Sequence, residues 1–113
     1  MNINDLALTE QQRLALRETK AELCALFPVE DVLLFGSYAR GEAEEESDLD
    51  LFVLTSRPMS YRERGEMSDV VYEINLKYDV LIHLLIACRE EWQSPVWSLL
   101  PVFADIRREG TAI

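Results

Sequence analysis

Residues 33–54, LLFGSYARGEAEEESDLDLFVL, constrain the fold more than any other part of the 113-residue chain. An apolar run over 31–36 reads as a strand ending in Gly36-Ser37. A basic and then acidic segment follows, and a second apolar strand over 48–55 opens with Asp48-Leu49-Asp50. A glycine just after a strand can take positive φ and lets the backbone come close to a ligand. Ser37 adds a hydroxyl and an N–H, and a helix starting at Tyr38 would aim its N-terminus at the same point, where anions bind readily. Asp48 and Asp50, two apart on a strand, leave from one face, roughly 6–7 Å apart along the backbone. Carboxylates that close repel one another and one pKa rises, unless a divalent cation lies between them.

A phosphate cradle facing a carboxylate pair is what metal-assisted nucleotidyl transfer requires, because Mg²⁺ takes one or two carboxylates plus substrate phosphates. The spacing is G-S-x10-D-x-D. At ordinary residue usage these four fixed positions match by chance at about 10⁻⁵ per start site. The pattern resembles the signature of the polymerase-β-like nucleotidyltransferase superfamily. The short chain is similar to the minimal nucleotidyltransferase (MNT) domains that act as antitoxins to HEPN-domain toxins. Ala39-Arg40-Gly41 extends the likeness. The structural alternative is an ordinary Gly-Ser turn and a polar loop end before a buried strand. Arg40 has two readings, a bidentate phosphate contact or a brace paired with a local acid.

The resemblance implies an α/β (α+β) fold, a small mixed sheet of three or four strands with helices around it. It implies nucleotide binding at Gly36, Ser37 and Arg40, and Mg²⁺ held by Asp48 and Asp50 against ATP. A third carboxylate is expected on the strand after D-x-D. Asp79 matches that place by chain order and parity, as a metal ligand or as the base for the attacking hydroxyl. The implied activity is transfer of AMP from ATP to a hydroxyl, a tyrosine of a partner HEPN ribonuclease toxin. The alternative is a non-catalytic antitoxin that neutralises its toxin by binding alone.

Net charge separates some function classes. Eleven Lys and Arg stand against 21 Asp and Glu, a formal charge of −10. Gripping nucleic acid through phosphates takes a basic face, so direct nucleic-acid binding is not expected. The charge fits a small-nucleotide enzyme or a partner for a basic protein. The length reads as one domain over 1–113. No apolar run approaches the span of a membrane helix, and the opening residues, MNINDLALTEQQ, lack a signal-peptide pattern. Cys24 and Cys88 sit in apolar stretches without metal-ligand spacing, and read as reduced core residues of a cytoplasmic protein.

The remaining segments frame this motif. Thr9 and Gln12 form a capping box for a helix to about Phe27, with Leu16, Leu23, Leu26 and Phe27 as its apolar stripe. Ser60 and Glu63 cap a second helix to about Leu76, with Met67, Val70, Val71 and Ile74 on its core face and Gly65 weakening its first turn. The near-continuous apolar run over 78–88 reads as a buried strand, with His83 on it as a core or edge histidine rather than a ligand. Pro101 starts a last helix with Val102, Phe103 and Ile106 facing inward and Gly110 past its end. Trp92 and Trp97 are either core residues or anchors for a partner. The acidic run over 42–46 reads as solvated surface.

Overall fold

The computed structural model describes residues 6–42 and 48–113. Chain order is α1 (Glu10–Leu26), β1 (Val29–Phe35), the single turn α2 (Ser37–Arg40), β2 (Leu49–Thr55), α3 (Tyr61–Tyr78), β3 (Ile82–Cys88), α4 (Arg89–Gln93), a 3-10 turn at Trp97–Leu99, α5 (Pro101–Glu109) and β4 (Thr111–Ala112). The sheet has four strands in the order β3-β2-β1-β4. β1 runs antiparallel to β2 and β4, whereas β2 and β3 are parallel. This is the mixed, helix-flanked sheet the sequence implies. The parallel step from β2 to β3 needs a crossover, and α3 supplies it.

The long helices begin where their capping residues dictate. Thr9 accepts from the Gln12 N–H while the Gln12 side chain accepts from the Thr9 N–H. Ser60 and Glu63 repeat that exchange at α3, and Arg57 adds an ion pair to Glu63 at 2.6 Å. That double anchorage secures the first turn of α3 despite Gly65. Pro101 sits at the first position of α5, where its missing N–H costs nothing.

Alternation along β1 and β2 divides the core between two faces of the sheet. On one face, Val32, Leu34, Leu49, Leu51 and Val53 pack with Leu16 and Leu23 of α1 and Met67, Val71 and Ile74 of α3. Each such aliphatic side chain contributes about 1.5–3 kcal/mol when fully buried. On the other face Phe52 meets Phe103 and Ile106 of α5, with Trp92 packed against them. Phe52 and Trp92 have ring centroids 4.8 Å apart, and Trp97 stacks on Phe103 at 5.9 Å. Trp92 is therefore half-buried in an aromatic cluster, whereas Trp97 stacks with one side exposed.

Several expectations need correction. Leu26 is exposed and Phe27 only half-buried, because α1 ends before its stripe turns back to the sheet. Cys24 is exposed on α1, so only Cys88 is a core thiol. The third strand starts at Ile82, because α3 runs on through Tyr78. Asp79 is not on that strand. It is the exposed C-cap of α3, with φ 52 and ψ 51 in the left-handed region. Aspartate tolerates that conformation better than most residues.

Candidate active site

The site forms where β1 hands the chain to α2, beside the start of β2. Gly36 has φ 79 and ψ −156, a combination open essentially to glycine alone. A Cβ there would lie 2.3 Å from Asp50 Oδ2. The glycine thus both bends the chain and vacates the space that the Asp50 carboxylate occupies. Phe35 pairs with Asp50 across the β1–β2 ladder, which brings the Gly36-Ser37 turn and the D-x-D strand together.

α2 begins at Ser37 and is one turn long. Its macrodipole is correspondingly small, so its binding capacity lies in the first N–H groups, which have no intrahelical acceptor. Arg40 N–H donates back to the Gly36 carbonyl at 3.1 Å, closing the turn. Tyr38 is buried, and its hydroxyl accepts from Gln12 Nε2 at 3.0 Å, tying the turn to α1. The Arg40 guanidinium pairs with Glu42 at 3.2 Å and with Glu109 of α5 at 2.9 Å. Of its two readings, the brace is the one the geometry displays, because these contacts fasten the loop to α5. The rest of the acidic run, 43–46, lies outside the described residues.

Asp48 stands one residue before β2 and Asp50 within it, both half-buried. Burial pushes the Asp50 carboxyl above the usual carboxylate range; His83 opposes this, Asp48 adds to it, and Arg40 opposes it. Two hard oxygen donors whose mutual repulsion is already costly suit a small divalent cation. The residues present therefore fit Mg²⁺ bound by two carboxylates with substrate oxygens completing the shell. Among the described residues, no group of three or more His, Cys, Asp or Glu side chains converges on a metal position.

The parallel ladder places His83 of β3 directly beside Asp50. Phe35, Asp50 and His83 thus form one row across three strands. A cleft of about 290 Å³ opens over this row, lined by Phe35, Asp50, His83, Leu85 and Val102. His83 is exposed at its rim. Asp79 loses the parity argument that set it beside the other aspartates, and His83 holds the position on β3 next to Asp50. His83 is the edge histidine the sequence suggests, and its place beside Asp50 follows from aligning D-L-D of β2 in parallel with I-H-L of β3.

The family model described as "Nucleotidyltransferase domain" matches residues 16–104, most of the chain. The chain belongs to the nucleotidyltransferase family. This nucleotidyltransferase is 34% identical over 73 residues to "Putative protein adenylyltransferase MJ0141" of Methanocaldococcus jannaschii, an alignment spanning 63% of this chain and 74% of that protein. Its fold is similar to a solved "putative minimal nucleotidyltransferase", with TM-score 0.61, 24% identity, and 95% and 99% of the two chains covered. It is also similar to a chain of the tri-AMPylated HEPN toxin of Shewanella oneidensis in complex with MNT antitoxin, with TM-score 0.52, 18% identity, and 90% and 70% of the two chains covered. Among the described residues no helix is long and apolar enough to cross a membrane.

Proposed function

We propose that this nucleotidyltransferase is an antitoxin that transfers AMP from ATP to a tyrosine hydroxyl of a HEPN ribonuclease toxin. One observation carries the reading. The Gly36-Ser37 turn and Asp50 are fitted to each other so closely that no side chain could stand between them. The likeness to protein adenylyltransferases and to a chain of the AMPylated HEPN–MNT complex supports AMP as the transferred group and a HEPN protein as the acceptor.

In this reading the N–H groups of the turn and the Ser37 hydroxyl hold the β- and γ-phosphates of ATP. Asp48 and Asp50 would hold Mg²⁺, and the ion, when bound, would supply neutralisation of phosphate charge. The cleft over Phe35 and Leu85 sets apolar side chains beside the reacting groups. Arg40, braced by Glu42 and Glu109, keeps the turn in place. The phenolic oxygen of the acceptor attacks the α-phosphorus, the bond to the bridging oxygen breaks, and pyrophosphate leaves. The phenolic proton passes to solvent. The cytoplasm, with its reducing pool, is the expected compartment for a chain whose thiols are both free.

The binding-only alternative draws on one feature, the want of a third converging acid among the described residues. Mass spectrometry of a HEPN toxin co-expressed with the wild-type chain, or with Asp48→Asn/Asp50→Asn, tests the choice. Added AMP with the wild type and none with the variant is the expected result.

A further inference from the structure

The cleft beside Asp50 has one polar end. Its lining runs from Phe35 of β1 past Asp50 of β2 to His83 and Leu85 of β3, and α5, packed on that face of the sheet, adds Val102. Asp50 and His83 are neighbours in the parallel ladder, so the polar side-chain atoms gather together. Leu85 and Val102 instead adjoin the apolar layer around Phe52 and Phe103. Phe35, Leu85 and Val102 are each half-buried, and His83 is exposed at the rim.

Size, polarity and position choose the occupant. Pockets for whole small ligands span about 300–1,000 Å³, so a cleft of about 290 Å³ suits one ring rather than a nucleoside. A serine or threonine side chain would leave most of it empty. Adenine carries polar atoms around its edge, and burying them without partners is costly. A phenol has a single polar atom at one end, as the cleft does. The attacking oxygen must come to roughly 3–3.5 Å from the phosphorus, so the group bonded to it stands beside Asp50, whereas the base of ATP is a whole ribose away. Attacking and leaving oxygens also lie roughly in line. The Gly36-Ser37 turn is on the β1 side of Asp50, and His83 and Leu85 are on the β3 side. Pyrophosphate leaving toward the turn thus has the acceptor opposite it, over β3.

We propose that this cleft is the phenol subsite of the acceptor. Phe35, Leu85 and Val102 grip the ring of a tyrosine, its hydroxyl lies at the Asp50–His83 end, and the enzyme thereby selects a phenol over an aliphatic hydroxyl. The proposal rests on the transfer reading above and makes these three apolar side chains its specificity residues.

The test uses the full chain, Mg·ATP labelled at the α-phosphate, and an inactive variant of the HEPN toxin produced without the antitoxin, so that it carries no AMP. Peptide mass spectrometry names the modified side chain. Val102→Trp fills the cleft from α5, and His83→Trp fills it from the exposed rim. Melting curves confirm folding, and the exposed site of His83 keeps the second variant informative where the first fails to fold. The expected results are AMP on tyrosine alone, a kcat/KM for the toxin lowered at least about tenfold in both variants, and a Mg·ATP melting shift as in the wild type. AMP on serine or threonine, or wild-type acceptor kinetics in the folded variants, overturns the subsite. Loss of the Mg·ATP melting shift also overturns it, because the cleft then holds adenine. Transfer by the wild type keeps AMP transfer standing in each of those cases. No transfer by the wild type overturns the transfer reading, and the subsite falls with it.

Discussion

Replacing Gly36 by alanine should damage the fold and the site through a single methyl group. The backbone at φ 79, ψ −156 costs a non-glycine residue about 1–3 kcal/mol. The new Cβ would also stand 2.3 Å from Asp50 Oδ2, 3.2 Å from its Cγ and 3.3 Å from its Cβ. Overpacking of this kind costs about 1–3 kcal/mol. The expected loss is therefore about 2–6 kcal/mol, a large part of the roughly 5–15 kcal/mol that holds a small domain together. Urea unfolding followed by far-UV circular dichroism measures it from the midpoint and slope. The two contributions separate in a double-mutant cycle. Asp50→Ala removes Oδ2 and Cγ and leaves only the Cβ contact at 3.3 Å, so Gly36→Ala in that background should cost mainly the backbone part, a coupling of about 1–3 kcal/mol between positions 36 and 50. A cost below about 0.5 kcal/mol, the range of ordinary surface changes, or equal costs in both backgrounds, would refute the fitted turn and carboxylate.

Other predictions follow from the same geometry. ATP should raise the melting temperature much more with Mg²⁺ than with EDTA, and equal shifts would remove the metal-bridged site. Asp50→Asn should abolish transfer yet melt at or above the wild-type temperature without nucleotide. The folded Asp50 pKa lies above its usual value, so its contribution favours the fold at low pH and is lost as pH rises through the folded pKa; a lower melting temperature at neutral pH would contradict that. Glu63 behaves in the opposite sense, held down to about 2 from its ordinary 4.5 by Arg57 and then Ser60. Its contribution is present above about pH 4.5 and lost as pH falls towards about 2. Glu63→Gln should flatten the acid limb of stability between those values, and an unchanged limb would show that the pair is inconsequential.

Much of this was legible because the responsible interactions are local. Both capping boxes and the proline start of α5 depend on residues within a few positions of one another, and the strand–turn–strand carrying Gly36, Ser37, Asp48 and Asp50 spans one contiguous stretch of the chain. The failures were of two kinds. Asp79 and Tyr78 were drawn into the strand because the apolar run is continuous, but the left-handed cap at Asp79 interrupts it. No residue pattern announces such a cap when the residue is not glycine. His83 was read as a core or edge histidine, but its position beside Asp50 was hidden because it arises from pairing between strands more than thirty residues apart in sequence. Arg40 could not be decided for a similar reason, since Glu109 reaches it from the far end of the chain.

The central claim is that neutralisation is a covalent event made at Asp50 and Ser37, and toxin separated from its antitoxin tests it most directly. HEPN toxin is co-expressed with the wild-type chain or with Ser37→Ala/Asp50→Asn, purified free of it, weighed by intact mass spectrometry and assayed for ribonuclease activity. The account predicts toxin heavier by one or more AMP units and inactive after contact with the wild type. With the variant it predicts unmodified, active toxin that the chain still binds. Toxin that leaves the wild-type complex at its unmodified mass and with full activity would contradict the account and mark the chain as a stoichiometric inhibitor.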